Sequence, residues 1–433
     1  MRAPVQERGA DPATSLRVVV AGQGYVGLPL AMRAVAVGHR VVGLDLSVDR
    51  VKRLAAGESF VEDVPAETVR AALDSGRYHV TDNPAECQGF DVGLISVPTP
   101  LDDGRPDLGH VESAATALAP HLRPGSLVVL ESTTYPGTTE SVLAPLLEAG
   151  SGLRAGADFH VGFSPERIDP GNDRWTLETT PKLVSGIDAE SLERTDAFYR
   201  TLVDQTVRVA SPGVAELAKL LENTFRHINI ALVNELAMVA ADLDLDVWEA
   251  IDAAATKPFG FMKFSPGPGV GGHCLPIDPS YLSWTVRRRL GRTFRFVELA
   301  NDVNAHMPEY VHDRLVSALN RRGRALSGSR VLLLGLAYKR NSSDARESPA
   351  VELIGHLLRD GAVVTVVDPH VVEHLLPDAD VRRAPLSATE LAAQDAVVLM
   401  TDHDAFDYET VLRHAPYVLD TRHRLEGPRV EHL

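Results

Sequence analysis

A short apolar run, Leu16 to Ala21 (LRVVVA), passes without a break into Gly22-Gln23-Gly24-Tyr25-Val26-Gly27. A stretch suited to a helix, LPLAMRAVAVG, follows, and then a second apolar run, Val41 to Leu44, that ends at Asp45. Continuously apolar strands are buried on both faces, which a parallel sheet covered by helices provides. The segment reads as a βαβ unit. Gly22, Gly24 and Gly27 supply the tight turn, and with Tyr25 and Val26 between them they let a pyrophosphate approach the helix N-terminus. Asp45, 23 residues after Gly22, stands where an acid takes ribose hydroxyls, and its charge repels a 2′-phosphate. The unit predicts NAD rather than NADP. Without the flanking strands and the acid it would be only a glycine-rich turn.

Further strands are expected at Val92 to Val97, Leu127 to Leu130 and His160 to Phe163. Their carboxyl ends run into small polar loops, Pro98-Thr99-Pro100, Glu131 to Gly137 and Ser164 to Arg167, where open α/β sheets bind ligands. From Gly213 about 30 residues pass with no Pro or Gly, and Leu217, Leu220, Leu221, Thr224, Ile228 and Leu232 keep helical spacing. So long a helix suits a scaffold between domains or a dimer interface. A second helical stretch, Phe296 to Arg322, is broken only by Pro308.

The opening pattern then returns. Arg330 to Ala337 is a strand ending in a glycine turn, Pro349 to Asp360 a helix, Val363 to Val367 a strand ending at Asp368, and Ala396 to Met400 another strand. The expected fold class is α/β, two doubly wound Rossmann-like domains joined by a long central helical segment. The expected division is a disordered arm at 1–15, a dinucleotide domain at 16–212, a helical domain at 213–322 and a second α/β domain at 323–433.

A net charge of −16 disfavours nucleic acid as a partner. No apolar run approaches the ~20 residues that span a bilayer, and Met1 to Ser15 lacks a signal core, so no membrane association and a cytoplasmic location are expected. An anionic ligand needs a local positive site. Arg321, Arg322, Arg324, Arg330, Lys339 and Arg340 cluster in sequence, as a phosphate site or as a solvated helix end.

One of the two cysteines lies in Gly267-Pro268-Gly269-Val270-Gly271-Gly272-His273-Cys274-Leu275-Pro276-Ile277-Asp278. Glycines at 269, 271 and 272 strip side-chain cover from the backbone, and Asp278 is placed to order water or assist proton transfer. Cys274 reads as a nucleophile against the alternative of a buried structural thiol. Cys87, in a polar turn, reads as structural. His273 adjoins the thiol in sequence, but neighbours point apart, and a backbone-bonded histidine is the plainer reading. No Cys/His/acid spacing suggests a metal. Lys219 and Asn223 are one helical turn apart and can hold an oxyanion with two kinds of donor; Glu216 and Leu220 share that face, and a solvated helix surface is the alternative.

The chain resembles the nucleotide-sugar 6-dehydrogenases, the group containing UDP-glucose and GDP-mannose dehydrogenases. The resemblance runs from about Arg17 to Arg424 and rests on GQGYVGLPLA, SVPTP, STTYPGTTE, FSPERIDPGN, ELAKLLENTF, PGPGVGGHCLPIDP and GLAYKRNSSDARESPA, in that order. It implies that Cys274 is the nucleophile, Lys219 and Asn223 the oxyanion pair, and Asp278 a partner in proton transfer. It implies that Thr133 positions a water and that Glu166 serves thioester hydrolysis. The cofactor contacts implied are Gly22 to Gly27, Asp45, Arg50, Pro98, Thr99, Thr133 and Arg346. Glu166, Arg167, Lys219, Asn223, Gly271 and Lys339 are implied at the substrate, with Lys339 and Arg346 reaching in from the last domain, which would bind the nucleotide diphosphate. Dimers through the long central helix are implied.

The reaction implied is a two-step oxidation of a sugar C6 hydroxyl to a carboxylate by NAD, through a Cys274 thiohemiacetal and thioester. SPERIDPGN, ATKPFGF and GGHCLPIDPSYLSW resemble the UDP-N-acetylglucosamine and UDP-N-acetylmannosamine branch, which favours a UDP-N-acetylhexosamine over UDP- or dTDP-glucose. Two positions depart from relatives: Pro170 replaces a second acid, and Ser343 stands where many have Asp beside Asp344. A one-step hydroxyacid dehydrogenase with Lys219 as base, and a non-catalytic nucleotide-binding protein, are the alternatives of other classes.

Overall fold

The computed structural model describes residues 15–102, 104–168, 174–272, 274–371 and 381–433, and for Cys274 the backbone alone. The expected arm at 1–15, save Ser15, lies outside the described residues, as do Pro170 and His273. The chain forms two compact bodies, one running to Glu222 with Arg288–Leu290 added, the other comprising Asn223–Arg287 and Gly291–Leu433.

The first body is built on an eight-stranded sheet. Its strands are β1 Arg17–Ala21, β2 Arg40–Leu44, β3 Tyr78–Thr81, β4 Val92–Ile95, β5 Leu127–Leu130, β6 His160–Phe163, β7 Lys182–Gly186 and β8 Thr206–Arg208, in the spatial order β8-β7-β6-β5-β4-β1-β2-β3. All pairs are parallel except β6 with β7. Because side chains alternate along a strand, β1 feeds two cores. Val18 and Val20 pack with Leu28, Leu30 and Tyr199, whereas Val19 and Ala21 pack with Phe90, Leu118 and Phe163. The order reverses between β1 and β4, which opens the crevice where such sheets bind ligands. β4 stops at Ile95 rather than Val97, because its partner β1 gives way at Gly22 to a turn with φ of 92°.

Helix α1, Gly27–Ala36, follows that turn, and α2, Ala189–Leu202, covers β7. Helix α3, Pro212–Asp242, starts on a proline, whose missing N–H is one of the first-turn donors that need no helical partner. Helix α4 is Val247–Ala255.

The second body holds two elements that differ from expectation. A helix, α5, Cys274–Leu290, begins in the Gly/Pro-rich stretch. Pro276 falls in its first turn, where a proline costs no hydrogen bond, and Pro279 is carried inside it. Helix α6, Arg295–Arg321, runs unbroken through the buried Pro308. The proline removes the donor for the Asn304 carbonyl, and Gly269 lies against that oxygen, 3.4 Å from where its Cβ would be.

The second sheet consists of β9 Arg330–Leu334, β10 Val363–Val367, β11 Arg382–Arg383, β12 Ala396–Leu399, β13 Val418–Asp420 and β14 Val430–His432, ordered β11-β10-β9-β12-β13-β14 and parallel throughout. Helix α7, Pro349–Arg359, packs on one face. The expected strand to Ala337 ends at Leu334, because Gly335 turns with φ of 92° as Gly22 does. Among the described residues no helix is long and apolar enough to cross a membrane.

The two sheets share one device. Gly22 N donates to Leu44 O at 2.8 Å and Gly335 N to Val367 O at 2.9 Å. The acid closing the second strand then accepts from the turn: Asp45 from Gln23 N, and Asp368 from Leu336 N and Ala337 N. Asp368 also takes His370 N, Val371 N and His403 Nε2. Burial pushes its carboxyl up, but the bonds from His403 and these N–H groups outweigh it, and its pKa falls well below the usual range. The stabilisation is therefore present above the unfolded-state pKa, about 3.9, and fades as pH falls toward the depressed folded value. Asp368→Asn is expected to cost roughly 2 kcal/mol at pH 7, with the deficit shrinking below pH 4, measured by urea unfolding at both pH values.

Candidate active site

At the carboxyl edge of the first sheet the glycines have distinct roles. A Cβ on Gly22 would lie 2.6 Å from Ser96 O, and one on Gly27 1.8 Å from Gly22 O, so neither tolerates a side chain. Nothing lies within 4 Å of a Cβ at Gly24, which leaves the turn open to a ligand. Asp45, buried, accepts from Gln23 N at 2.8 Å, Ser47 N at 2.9 Å and Arg50 Nη1 at 2.9 Å. Gln23 is itself pinned below the turn by Tyr78 Oη and Val20 O. Arg50 lies over the Phe60 ring at 5.2 Å, and Tyr25 is exposed beside the turn. Thr99 Oγ1 donates to Thr133 O at 2.9 Å, tying the loop that contains Pro98 to the one after β5. These groups suit a dinucleotide: open backbone for phosphates, and a fixed acid for ribose hydroxyls.

The first body also carries Glu166, Arg167 and Lys219. Glu166 Oε1 accepts Arg167 N at 2.6 Å and Ile168 N, while Oε2 is buried without a hydrogen bond, 3.7 Å from Lys182 Nζ. Arg167 gives its guanidinium to Glu222, at 2.7 and 3.3 Å, and to Pro181 O. The face of α3 that sequence left as a solvated alternative is buried at Glu216, Lys219 and Leu220. Glu216 is spent on structure, accepting Gly137 N, Thr139 N and Thr139 Oγ1. Lys219 is 8% exposed and has no hydrogen-bond or ion-pair partner among the described residues.

In the second body Asn223 Nδ2 donates to Asp278 Oδ2, and Asp278 is buried. Position 274 opens α5, one turn before Asp278. The glycines before it do not lie open. Gly271 and Gly272 are buried, and a Cβ on either would come within 2.7 Å of Tyr338, while Gly272 N donates to Arg346 O at 3.1 Å. Their smallness admits the 338–349 loop, not solvent. Arg346 itself grips Asp344 through Nε and Nη2. Ser343 and Lys339 lie in the same loop.

Half of the basic run is paired with acids that the fold brings to it. Arg321 pairs with Glu431 at 2.7 Å, Arg324 with Asp395 at 2.6 Å, and Arg340 with Asp404. Arg322 lies over Tyr417. Sequence reading passed over Arg422, which donates to Met400 O and lies against Gly267. It also passed over Lys182 and Glu131, whose partners are distant in sequence. Cys87 is fully buried, and burial pushes its thiol up to about 11, in line with a structural role. Among the described residues no group of His, Cys, Asp and Glu is arranged for a metal.

Models of the UDP-glucose/GDP-mannose dehydrogenase family match three stretches: the NAD binding domain at residues 16–203, the central domain at 213–306 and the UDP binding domain at 332–427. The UDP-N-acetyl-D-mannosamine dehydrogenase of Pyrococcus horikoshii is 34% identical over 96% of this chain and 97% of its own. The chain belongs to the UDP-glucose/GDP-mannose dehydrogenase family.

Like other members of the UDP-glucose/GDP-mannose dehydrogenase family, it is an NAD-binding oxidoreductase of nucleotide sugars. The UDP-N-acetyl-D-glucosamine 6-dehydrogenase of Pseudomonas aeruginosa is 36% identical over 90% of this chain and 91% of its own. A solved Pyrococcus horikoshii UDP-D-ManNAc dehydrogenase superposes with a TM-score of 0.87 at 32% identity, covering 96% of this chain and 99% of that one. A UDP-glucose dehydrogenase from Pyrobaculum islandicum does so with 0.86 at 30% identity, covering 99% and 98%. Asp45→Ala is expected to raise the KM for NAD by about tenfold. Freeing Arg50 for a 2′-phosphate should also shift the ratio of kcat/KM values toward NADP, which steady-state assays with both cofactors check.

Proposed function

We propose that the chain is an NAD-dependent 6-dehydrogenase that takes a UDP-N-acetylhexosamine through two oxidations to the uronic acid. The observation that carries this reading is the Lys219 ammonium, buried without an anionic partner among the described residues. A buried cation is costly unless an anion joins it, and an oxyanion on the substrate is such a partner. Asn223, one turn further along α3 and held by Asp278, adds a neutral donor.

NAD, held at the Gly22 to Gly27 turn and Asp45, supplies a hydride acceptor for each oxidation. A water positioned by Thr133 and Asp278 takes the C6 hydroxyl proton in the first. Cys274 bonds to the resulting aldehyde carbon, and Lys219 and Asn223 hold the oxyanion of the thiohemiacetal. Its oxidation leaves a thioester on Cys274. Water, activated by Glu166, adds to the carbonyl, the carbon–sulfur bond breaks, and the thiolate returns. The sum is alcohol, water and two NAD giving carboxylate, two NADH and three protons. Arg167 orders the loop around Glu166, and Gly271, Lys339 and Arg346 are assigned to substrate and cofactor contacts by their match to the family motifs. The domains are 16–212 for NAD, 213–322 for the helices with the cysteine, and 323–433 for the nucleotide, working in the cytoplasm.

The sugar comes from the relatives named for UDP-N-acetylmannosamine and UDP-N-acetylglucosamine. The Pyrobaculum UDP-glucose enzyme, nearly as similar in structure, favours UDP-glucose as second reading. The test is NADH formed per sugar consumed, with UDP-N-acetylglucosamine, UDP-N-acetylmannosamine, UDP-glucose, dTDP-glucose and GDP-mannose. Two NADH per UDP-N-acetylhexosamine, lost in Cys274→Ala, is the expected result. One NADH with the variant still active would overturn the thioester route.

We also propose a homodimer through α3. Leu217, Leu221, Leu232, Leu236 and Val239 are exposed along it, an apolar stripe that a second copy would cover. Light scattering is expected to give twice the 46.8 kDa of one chain, and Leu232→Asp with Leu236→Asp to give single chains.

A further inference from the structure

Beneath Glu166 lies a buried ionic cluster to which no role has been given. Lys182, at the start of β7, is 3% exposed, and its Nζ donates to Glu131 Oε2 at 2.7 Å. Glu131, at the end of β5, is fully buried, and its other oxygen accepts the Tyr199 hydroxyl from α2. The ammonium also lies over the Tyr199 ring at 5.3 Å. Its remaining neighbour is Glu166 Oε2, at 3.7 Å.

An ion pair this deep is weak evidence of stabilisation, since desolvation offsets most of the attraction. A second carboxylate facing the same ammonium adds repulsion between the two acids. The arrangement is understandable if the second carboxylate must stay charged. Glu166 Oε1 is saturated by two backbone N–H groups, whereas Oε2 has no hydrogen bond and is buried. Among the described residues, Lys182 is the cation that pairs with Glu166. Arg167, the adjacent cation, is turned away to Glu222 of α3. The titratable groups around Glu166 are therefore Glu131, Lys182, Tyr199 and the Arg167–Glu222 pair. Burial pulls the Lys182 ammonium toward neutrality, but the Glu131 and Glu166 carboxylates outweigh it and its pKa is raised, so it remains a cation. Burial raises Glu131, with Lys182 opposing.

We propose that Lys182 is the positioning residue for Glu166, holding it as an oriented carboxylate ready to activate the water that cleaves the thioester, with Glu131 and Tyr199 anchoring the lysine. This rests on the reading of Glu166 as the group that serves hydrolysis. Lys182 touches neither sugar nor cofactor in this role, and acts through Glu166.

The test uses the full-length enzyme with UDP-N-acetylglucosamine or UDP-N-acetylmannosamine, whichever turns over. Lys182→Met is expected to lower kcat about thirtyfold or more at pH 7, as loss of a general base does. The KM for NAD should stay within about twofold, since the nucleotide turn is untouched. Acid-quenched protein should carry the sugar acyl mass on Cys274. Lys182→Arg should recover most of kcat, and Glu131→Gln, which removes the anchor of the lysine, should lower kcat in the same direction and trap the same adduct. A fall in kcat with no trapped adduct would overturn the proposal, leaving Lys182 a structural ion. If Lys182→Met fails to fold by circular dichroism, the presence or absence of the adduct in Glu131→Gln decides in its place. Glu166→Gln separates the two readings. An adduct in Glu166→Gln but none in Lys182→Met sinks the role of Lys182 alone. No adduct and full activity in Glu166→Gln sinks the assignment of Glu166, and the role of Lys182 with it.

Discussion

A carboxylate at the end of the second strand, reaching back to the backbone N–H groups of the turn after the first, fixes the ligand-facing edge of both sheets. The turn needs glycine because the chain leaves the sheet with a positive φ against a neighbouring strand. A turn so made leaves donors pointing outward, and an acid is the side chain that accepts several of them. In the first sheet Asp45 holds Gln23 N, Ser47 N and Arg50, and keeps acceptor capacity beyond them. In the second, four backbone N–H groups and His403 occupy Asp368. The same device is thus only partly filled by the protein in one sheet and filled in the other. What separates them is how many donors the protein itself supplies.

The same economy sorts the cations. Arg321, Arg324 and Arg340 meet acids close at hand and are spent on them. Glu216, although it shares a face with Lys219, is spent on the backbone of the 137–139 loop. Lys219 is left buried with no such partner among the described residues.

Much of this was legible in the sequence where the signal is local. The run from Leu16 to Asp45 carries strand, turn, helix and acid within thirty residues, and its return at Arg330 to Asp368 exposed the second sheet. The uninterrupted helix from Pro212 was visible for the same reason. What escaped was set by partners far along the chain. Lys182 gains meaning from Glu131, 51 positions away, and nothing in PKLVSG announces that. The helix that opens at Cys274 was hidden by Pro276 and Pro279, which argue against helix except in a first turn. The basic run stayed ambiguous because sequence shows where charges are, but not which acids the fold brings to them. Gly271 and Gly272 misled in the same way: their lack of a side chain suggested exposure, whereas it makes room for Tyr338.

That last contact bears on how the enzyme is divisible. Gly269, Gly271 and Gly272 lie against Pro349, Tyr338 and the Glu347 carbonyl, so the segment leading to Cys274 is moulded on the loop between β9 and α7. The second sheet's loop and the segment leading to position 274 are therefore packed as one unit. A chimera that exchanged the C-terminal domain for that of a relative, in search of a different nucleotide, would have to carry residues 266–274 with it. Otherwise the new loop would meet a surface shaped for another, and the helix that opens at position 274 would start from the wrong place.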